Sequence, residues 1–119
     1  MKIIVNKILP PSGFKALTIG PFIFIKKDST LSGEDINHEA IHWEQYKETL
    51  IIGFFLIYGL EFIIKFFIPS LTKNFSKPGR SYFKRVYRSL SLEQEAYTNE
   101  ENSDYINHRK HYAWIKYLL

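Results

Sequence analysis

The chain has 119 residues and no cysteine, and its 16 lysine and arginine residues against 12 acids give a formal net charge of +4. This length predicts a single domain over residues 1–119, and so mild a charge does not indicate a specific nucleic-acid partner. The lack of cysteine excludes disulfides and cysteine-ligated zinc fingers, so any bound zinc would need histidine and carboxylate ligands.

The N-terminal segment predicts a small β-hairpin. Residues 1–5 lack the long apolar region and the small-residue cleavage site of a signal peptide. We therefore expect a protein that is cytoplasmic or peripheral at the inner face of the membrane. After a proline-rich turn, residues 16–19 and 22–26 have the composition of two short strands on either side of Gly20-Pro21.

A helix is predicted from about residue 34 to beyond residue 48, with Ser32 or Asp35 as its N-cap. It carries the pattern H-E-x-x-H, formed by His38, Glu39 and His42. Residues four apart lie on one helical face, so both imidazoles can bind one ion at about 2.0–2.1 Å. The carboxylate of Glu39, about 100° away around the helix, can reach a metal-bound water and take its proton. The alternative is a solvated helical face without a metal.

Residues 49–68 form a long apolar run. At about 20 residues it could cross a bilayer, and its only charges, Glu61 and Lys65, are spaced to pair on a helix. A single crossing would place His42 and any downstream ligand on opposite sides of the membrane, so a shared metal site and a simple span exclude each other. We therefore expect a long apolar helix that is buried, lies on a membrane surface or forms a homodimer interface.

The C-terminal third predicts two further helices. Residues 92–101 follow Ser91, a plausible N-cap, and place Glu93 and Ala96 on one face. The small side chain of Ala96 would allow close approach of the motif helix. Residues 104–119 have the periodicity of a last helix.

The two motifs together resemble those of a known class of enzymes. H-E-x-x-H followed by E-x-x-A, here at residues 93–96, is similar to the gluzincin metallopeptidases, including the ImmA/IrrE-type and BlaR-type peptidases. Tyr97 stands where those families carry asparagine or aspartate. Gln45 adds an H-x-x-Q extension that is found in several small H-E-x-x-H families.

Together with the predicted elements, the resemblance indicates a mainly helical, minimal zincin-like α+β domain, in which the residue patterns supply the small N-terminal hairpin and the long apolar helix. It further implies that His38, His42 and Glu93 bind Zn²⁺ and that Glu39 is the general base. Glu95, two residues after Glu93, is the competing third ligand. The alternative for both glutamates is an acidic helix start that is stabilised by the helix dipole.

Gluzincins also use a tyrosine or a histidine as donor to the oxyanion, and Tyr97, Tyr105 and His108 are the candidates here. The implied function is a zinc-dependent metallopeptidase that hydrolyses a peptide or protein substrate. Two alternatives stay open. One is a catalytically inactive zincin-like module for protein binding, and the other is a small membrane-associated protein whose H-E-x-x-H is coincidental.

Overall fold

The computed structural model describes residues 2–10, 14, 16–27, 29–68 and 82–118. These residues form a small sheet and a set of helices, which confirms the predicted α+β class. The strands are β1 (Lys2–Asn6), β2 (Leu17–Ile19) and β3 (Phe22–Lys26), and the helices are α1 (Gly33–Glu48), α2 (Ile52–Phe67), α3 (Tyr82–Ser89), α4 (Ser91–Asn99), α5 (Tyr105–His108) and a 3₁₀ helix, Ala113–Tyr117.

The sheet contains the predicted hairpin and one strand that was not predicted. β2 and β3 pair antiparallel with Thr18 opposite Ile23, and Gly20 takes φ +59° in the turn between them, a conformation that favours glycine. β1 pairs parallel with β3, so the strand order is β1-β3-β2. This order leaves β2 at the edge of the sheet, where it contacts α1.

The helix α1 begins at a complete capping box. Ser32 is the N-cap, and its hydroxyl accepts a hydrogen bond from the Asp35 amide while the Asp35 carboxylate accepts one from the Ser32 amide. Both candidate cap residues therefore act together, and they fix the register of the helix that carries the H-E-x-x-H motif.

The apolar segment forms a 16-residue helix, α2, which is shorter than the 49–68 run. It is separated from α1 by residues 49–51, of which Leu50 and Ile51 have positive φ, and the two helices are bent by 108° relative to each other. Among the described residues, no single helix has the length and apolar character needed to cross a membrane, although the bent pair of α1 and α2 meets both criteria together.

The charged pair of α2 holds the start of α4. Lys65 Nζ lies 2.8 Å from Glu61 Oε2 and donates to the carbonyl of Ser89 at 2.6 Å. Glu61 accepts hydrogen bonds from both the amide and the hydroxyl of Ser91. The prediction that Ser91 is the N-cap is wrong, because Leu90 holds that position and Ser91 is the first helical residue. A carboxylate from another helix satisfies the terminal amide instead.

The main apolar core joins α1, α2, α4 and the C-terminal segment. Tyr46, Phe54, Leu92 and Trp114 are buried against one another, and the rings of Tyr46 and Phe54 stack at a centroid distance of 3.9 Å. This cluster fixes the position of α4 against α1 and therefore brings the two sequence motifs together.

The prediction of a continuous helix over residues 104–119 is wrong within the part that the structure describes. The helix α5 has only four residues, Arg109 is extended, and Tyr112 adopts a left-handed conformation before the 3₁₀ helix. Arg109 turns its guanidinium towards Glu48 and Glu95, and the Tyr112 amide donates to Glu48. These tertiary hydrogen bonds replace the ones that a continuous helix would make.

Candidate metal centre

Three buried side chains from α1 and α4 meet at one point. The Nε2 atoms of His38 and His42 lie 3.2 Å and 3.3 Å from the same oxygen, Oε1 of Glu93. Two donor atoms bound to one tetrahedral zinc ion at 2.0–2.1 Å would be about 3.3–3.4 Å apart. Each imidazole nitrogen therefore lies at a distance from the Glu93 oxygen that two ligands of one ion would have.

The motif itself also satisfies a geometric criterion for metal binding. His38, Glu39 and His42 each offer a ligand atom, and these atoms lie within 4.8 Å of one another. All three residues are buried, with only small exposed fractions. The H-E-x-x-H segment is therefore a group that could hold a metal ion.

Gln45 determines which nitrogen of His42 faces the site. Its Nε2 donates to the carbonyl of Leu92 at 2.9 Å and to Glu95 Oε1 at 3.0 Å. Its Oε1 therefore faces His42 and accepts from Nδ1 at 2.8 Å. Because Nδ1 carries the hydrogen, the lone pair of the neutral imidazole is on Nε2, towards Glu93.

His38 is oriented in a similar way by a carboxylate. Its Nδ1 lies 2.7 Å from Glu100 Oε2 and donates to it, which directs Nε2 to Glu93. The ring of Tyr97 packs edge-on against the His38 imidazole, with centroids 4.5 Å apart. Partners that hold the outer nitrogen of a ligating histidine typically fix both its tautomer and its ring orientation.

Electrostatic interactions couple the side chains of His38, His42 and Glu93. Burial would raise the pKa of Glu93, but the two facing histidines hold it well below its usual range. Burial would lower the pKa of His38, yet hydrogen bonds to Glu100 and Glu93 raise it to about 10. The negative charge of Glu93 therefore favours the positively charged form of the two histidines that face it.

The second oxygen of Glu93 and the carboxylate of Glu39 also have defined partners. Tyr58, from α2, donates its hydroxyl to Glu93 Oε2 at 3.0 Å. Thr18, on the edge strand β2, donates to Glu39 Oε2 at 2.7 Å. The Thr18 carbonyl in turn accepts from the Tyr46 hydroxyl at 2.6 Å, which ties the strand to α1.

Two cavities meet at Glu39. A cavity of about 420 Å³ is lined by polar groups that include His38, Tyr97 and Arg88. A second cavity, of about 540 Å³, is mainly apolar and is lined by residues such as Phe54 and Phe62 of α2, together with His42 and Glu93. The side chain of Glu39 lines both cavities, so it lies between a polar compartment and an apolar one.

The structure separates the two competing glutamates. Glu93 faces the histidines, whereas Glu95 is fully buried and accepts hydrogen bonds from Gln45, Tyr105 and Arg109. The side chain of Glu95 is thus held in a network behind His42.

The three oxyanion candidates lie in different surroundings. Tyr97 lines the polar cavity beside His38, under the guanidinium of Arg88 at 3.8 Å. Tyr105 is hydrogen-bonded to Glu95. His108 is exposed, pairs with Asp104 at 2.6 Å and lines neither cavity. Of the three, only Tyr97 is brought next to the candidate ligands.

Several residues of the site were not found from the sequence. Glu100 follows Glu93 by seven positions (100 − 93), a spacing that returns to the same helical face, so periodicity could have indicated it. Thr18 and Tyr58 come from other elements, and no local pattern marks them. Their contacts depend on how β2 and α2 pack against the motif helices.

No known protein family, curated protein or solved structure matches the chain. The class of protein is therefore defined by its fold and its site. It is an α+β protein with a buried His38-Glu39-His42 group that could hold a metal ion.

Proposed function

We propose that this protein is a zinc-dependent metallopeptidase in which His38, His42 and Glu93 bind the ion and Glu39 is the general base. The observation that carries the proposal is the convergence of both Nε2 atoms on Glu93 Oε1, at 3.2 Å and 3.3 Å. The motif spacing and the burial of the group support the same assignment.

The donor set fits zinc. Two neutral imidazoles and one carboxylate are the protein ligands of one class of catalytic zinc sites, which leave a further position open. The hydrogen bonds to Glu100 and Gln45 hold the Nδ1 hydrogens of His38 and His42, so both Nε2 lone pairs are available. When bound, such an ion supplies Lewis-acid activation of a water molecule and of a peptide carbonyl.

Glu39 is suited to move the proton. One of its oxygens is held by Thr18, and its carboxylate lines both cavities, where a substrate and a water molecule can approach it. We assign it the removal of a proton from the attacking water and the delivery of that proton to the leaving amine.

Tyr97 is the proposed donor to the oxyanion. Burial and the nearby charge of Glu93 raise the pKa of its hydroxyl, which keeps it protonated and able to donate at neutral pH. His108, which is exposed and paired with Asp104, has no part in this mechanism.

The apolar cavity supports a substrate class. Its walls include the aromatic residues Phe54 and Phe62, next to Glu39 and the candidate ligands. A cavity of about 540 Å³ has room for a large apolar side chain. We therefore propose peptides that carry such a residue beside the scissile bond.

The test combines metal analysis with peptide hydrolysis. Wild type and Glu39→Gln are analysed for metal by elemental mass spectrometry and then incubated with a diverse peptide mixture, whose products are identified by mass spectrometry. We expect similar zinc content in both proteins and a loss of hydrolysis of about 10²–10⁴-fold in Glu39→Gln.

Glu44→Gln, at a partly exposed position on the same helix that pairs with Lys47, is the matched control and should keep full activity. Wild type that binds no zinc after zinc is added would overturn the metal assignment. Wild type that binds zinc but hydrolyses no peptide would leave a metal-binding module and remove the peptidase assignment.

A further inference from the structure

The charges of α2 point inward, and many of its apolar side chains are exposed. Glu61 and Lys65, the only charged residues of this helix, form a pair whose side chains are 10% and 6% exposed. By contrast, Leu56, Leu60 and Phe67 are 67%, 62% and 75% exposed. A helix on the surface of a water-soluble protein has the opposite arrangement.

The exposed residues form one continuous stripe. Their spacing of three or four positions places them on a single face, which we call the outer face of α2. It consists of Ile52, Leu56, Leu60, Ile63, Ile64 and Phe67. A contiguous apolar surface of this kind marks a site of interaction with a protein or a membrane.

Basic and aromatic residues flank the C-terminal end of this face. Tyr82 packs against Phe66 at a centroid distance of 5.2 Å, and the exposed Arg85 lies 5.8 Å from the Tyr82 ring. In the sequence, residues 69–88 contain six lysine and arginine residues and no acid. Positive charge beside an apolar helical face is complementary to the headgroups of an anionic bilayer.

We propose that the outer face of α2 lies in the interfacial layer of an anionic lipid membrane, with the helix along the membrane surface. Burying this face would remove no charged group of α2 from water, because Glu61 and Lys65 already pair inside the protein. The flanking arginine and tyrosine would remain at headgroup level.

The apolar cavity shares a lining residue with the same surface. Ile63, which belongs to the outer face, also lines that cavity and is about half exposed. A membrane against the outer face would therefore lie next to a wall of the cavity. This placement does not depend on the proposed hydrolysis, which concerns other residues.

The experiment is co-sedimentation of the full chain with phosphatidylcholine vesicles, prepared with and without phosphatidylglycerol. Wild type should bind the anionic vesicles more strongly, and added salt should weaken that binding. The double variant Leu56→Gln, Leu60→Gln should reduce the partition coefficient by about tenfold or more, because two exposed leucines no longer contribute apolar area.

Ile8→Gln, at a position 81% exposed outside α2, is the matched control and should bind as wild type does. Arg85→Gln provides a second, milder test. It should bind anionic vesicles more weakly than wild type does and bind neutral vesicles equally well. His42→Ala should retain vesicle binding, which separates this proposal from the metal site. Circular dichroism checks that each variant is folded.

Three results would overturn the proposal. Wild type could remain in the supernatant with both kinds of vesicle, or the double variant could bind as well as wild type. Alternatively, wild type could bind no vesicles and form a dimer, while the double variant is a monomer. That result would identify a second copy of the chain as the partner of the outer face.

Discussion

The substitution Gln45→Leu tests whether the orientation of His42 controls metal affinity. Gln45 is fully buried and bonds to His42 Nδ1, the Leu92 carbonyl and Glu95. Leucine has a similar volume but leaves the Nδ1 hydrogen without an acceptor, so the other tautomer, with the hydrogen on Nε2, becomes competitive. Loss of such a partner typically weakens metal binding by about 10–100-fold.

The assay is zinc competition against a chromophoric chelator, together with urea unfolding of the metal-free protein. Three buried groups lose a hydrogen bond in Gln45→Leu, so the free energy of unfolding should fall, by about 1–3 kcal/mol for each group left unsatisfied. Gln94→Leu is the control, because Gln94 is also buried and bonds to the Arg88 carbonyl but not to His42. If Gln45→Leu is folded and its zinc dissociation constant equals that of Gln94→Leu, the reasoning about the tautomer is refuted.

Three other predictions follow from the buried charges. Glu93→Gln should lose bound zinc, whereas Glu95→Gln should retain it, and elemental analysis that gives the reverse order would contradict the ligand assignment. Arg109→Gln should lower the free energy of unfolding by about 3–5 kcal/mol, because it leaves buried carboxylates unpaired, while the exposed Lys47→Gln should cost less than about 1 kcal/mol in urea denaturation. Because the pKa of His38 is raised to about 10 and zinc requires its neutral form, apparent affinity should rise with pH below that value, and calorimetry in buffers of different ionisation enthalpy should detect proton release at neutral pH.

Local signals were sufficient for the motif helix and the hairpin. The capping residues Ser32 and Asp35 and the spacing of His38 and His42 depend only on helical geometry, and the structure follows them. Gly20 in the turn similarly fixes the hairpin. Elements whose hydrogen bonds are made within a short segment can be predicted from that segment.

Elements that depend on distant partners were missed or were wrong. β1 has a strand-like composition, but its parallel pairing with β3 requires a crossover that no local pattern specifies. The tail has helical periodicity, yet Arg109 and Tyr112 leave the helix because Glu48, on α1, accepts their hydrogen bonds. In the tail, hydrogen bonds to the buried carboxylate of Glu48 outweigh the helical propensity of the sequence.

The apolar helix α2 is the element whose interpretation differs most between the sequence and the structure. In the sequence, Glu61 and Lys65 are two charges in an apolar run, and an i,i+4 pair of this kind is compatible with a membrane span. In the structure, Glu61 accepts two hydrogen bonds from Ser91 at the start of α4. That contact fixes the beginning of the helix on which Glu93 lies two residues later.

The same helix also contacts the candidate ligand directly. Tyr58, on the turn of α2 before Glu61, donates its hydroxyl to Glu93 Oε2. One side of α2 therefore positions the carboxylate that faces His38 and His42, while the other side is the exposed apolar stripe. A helix that served only to cover the core would need neither an inward-facing ion pair nor an uncovered outer face. Both features are explained if α2 joins the candidate metal site to a membrane surface.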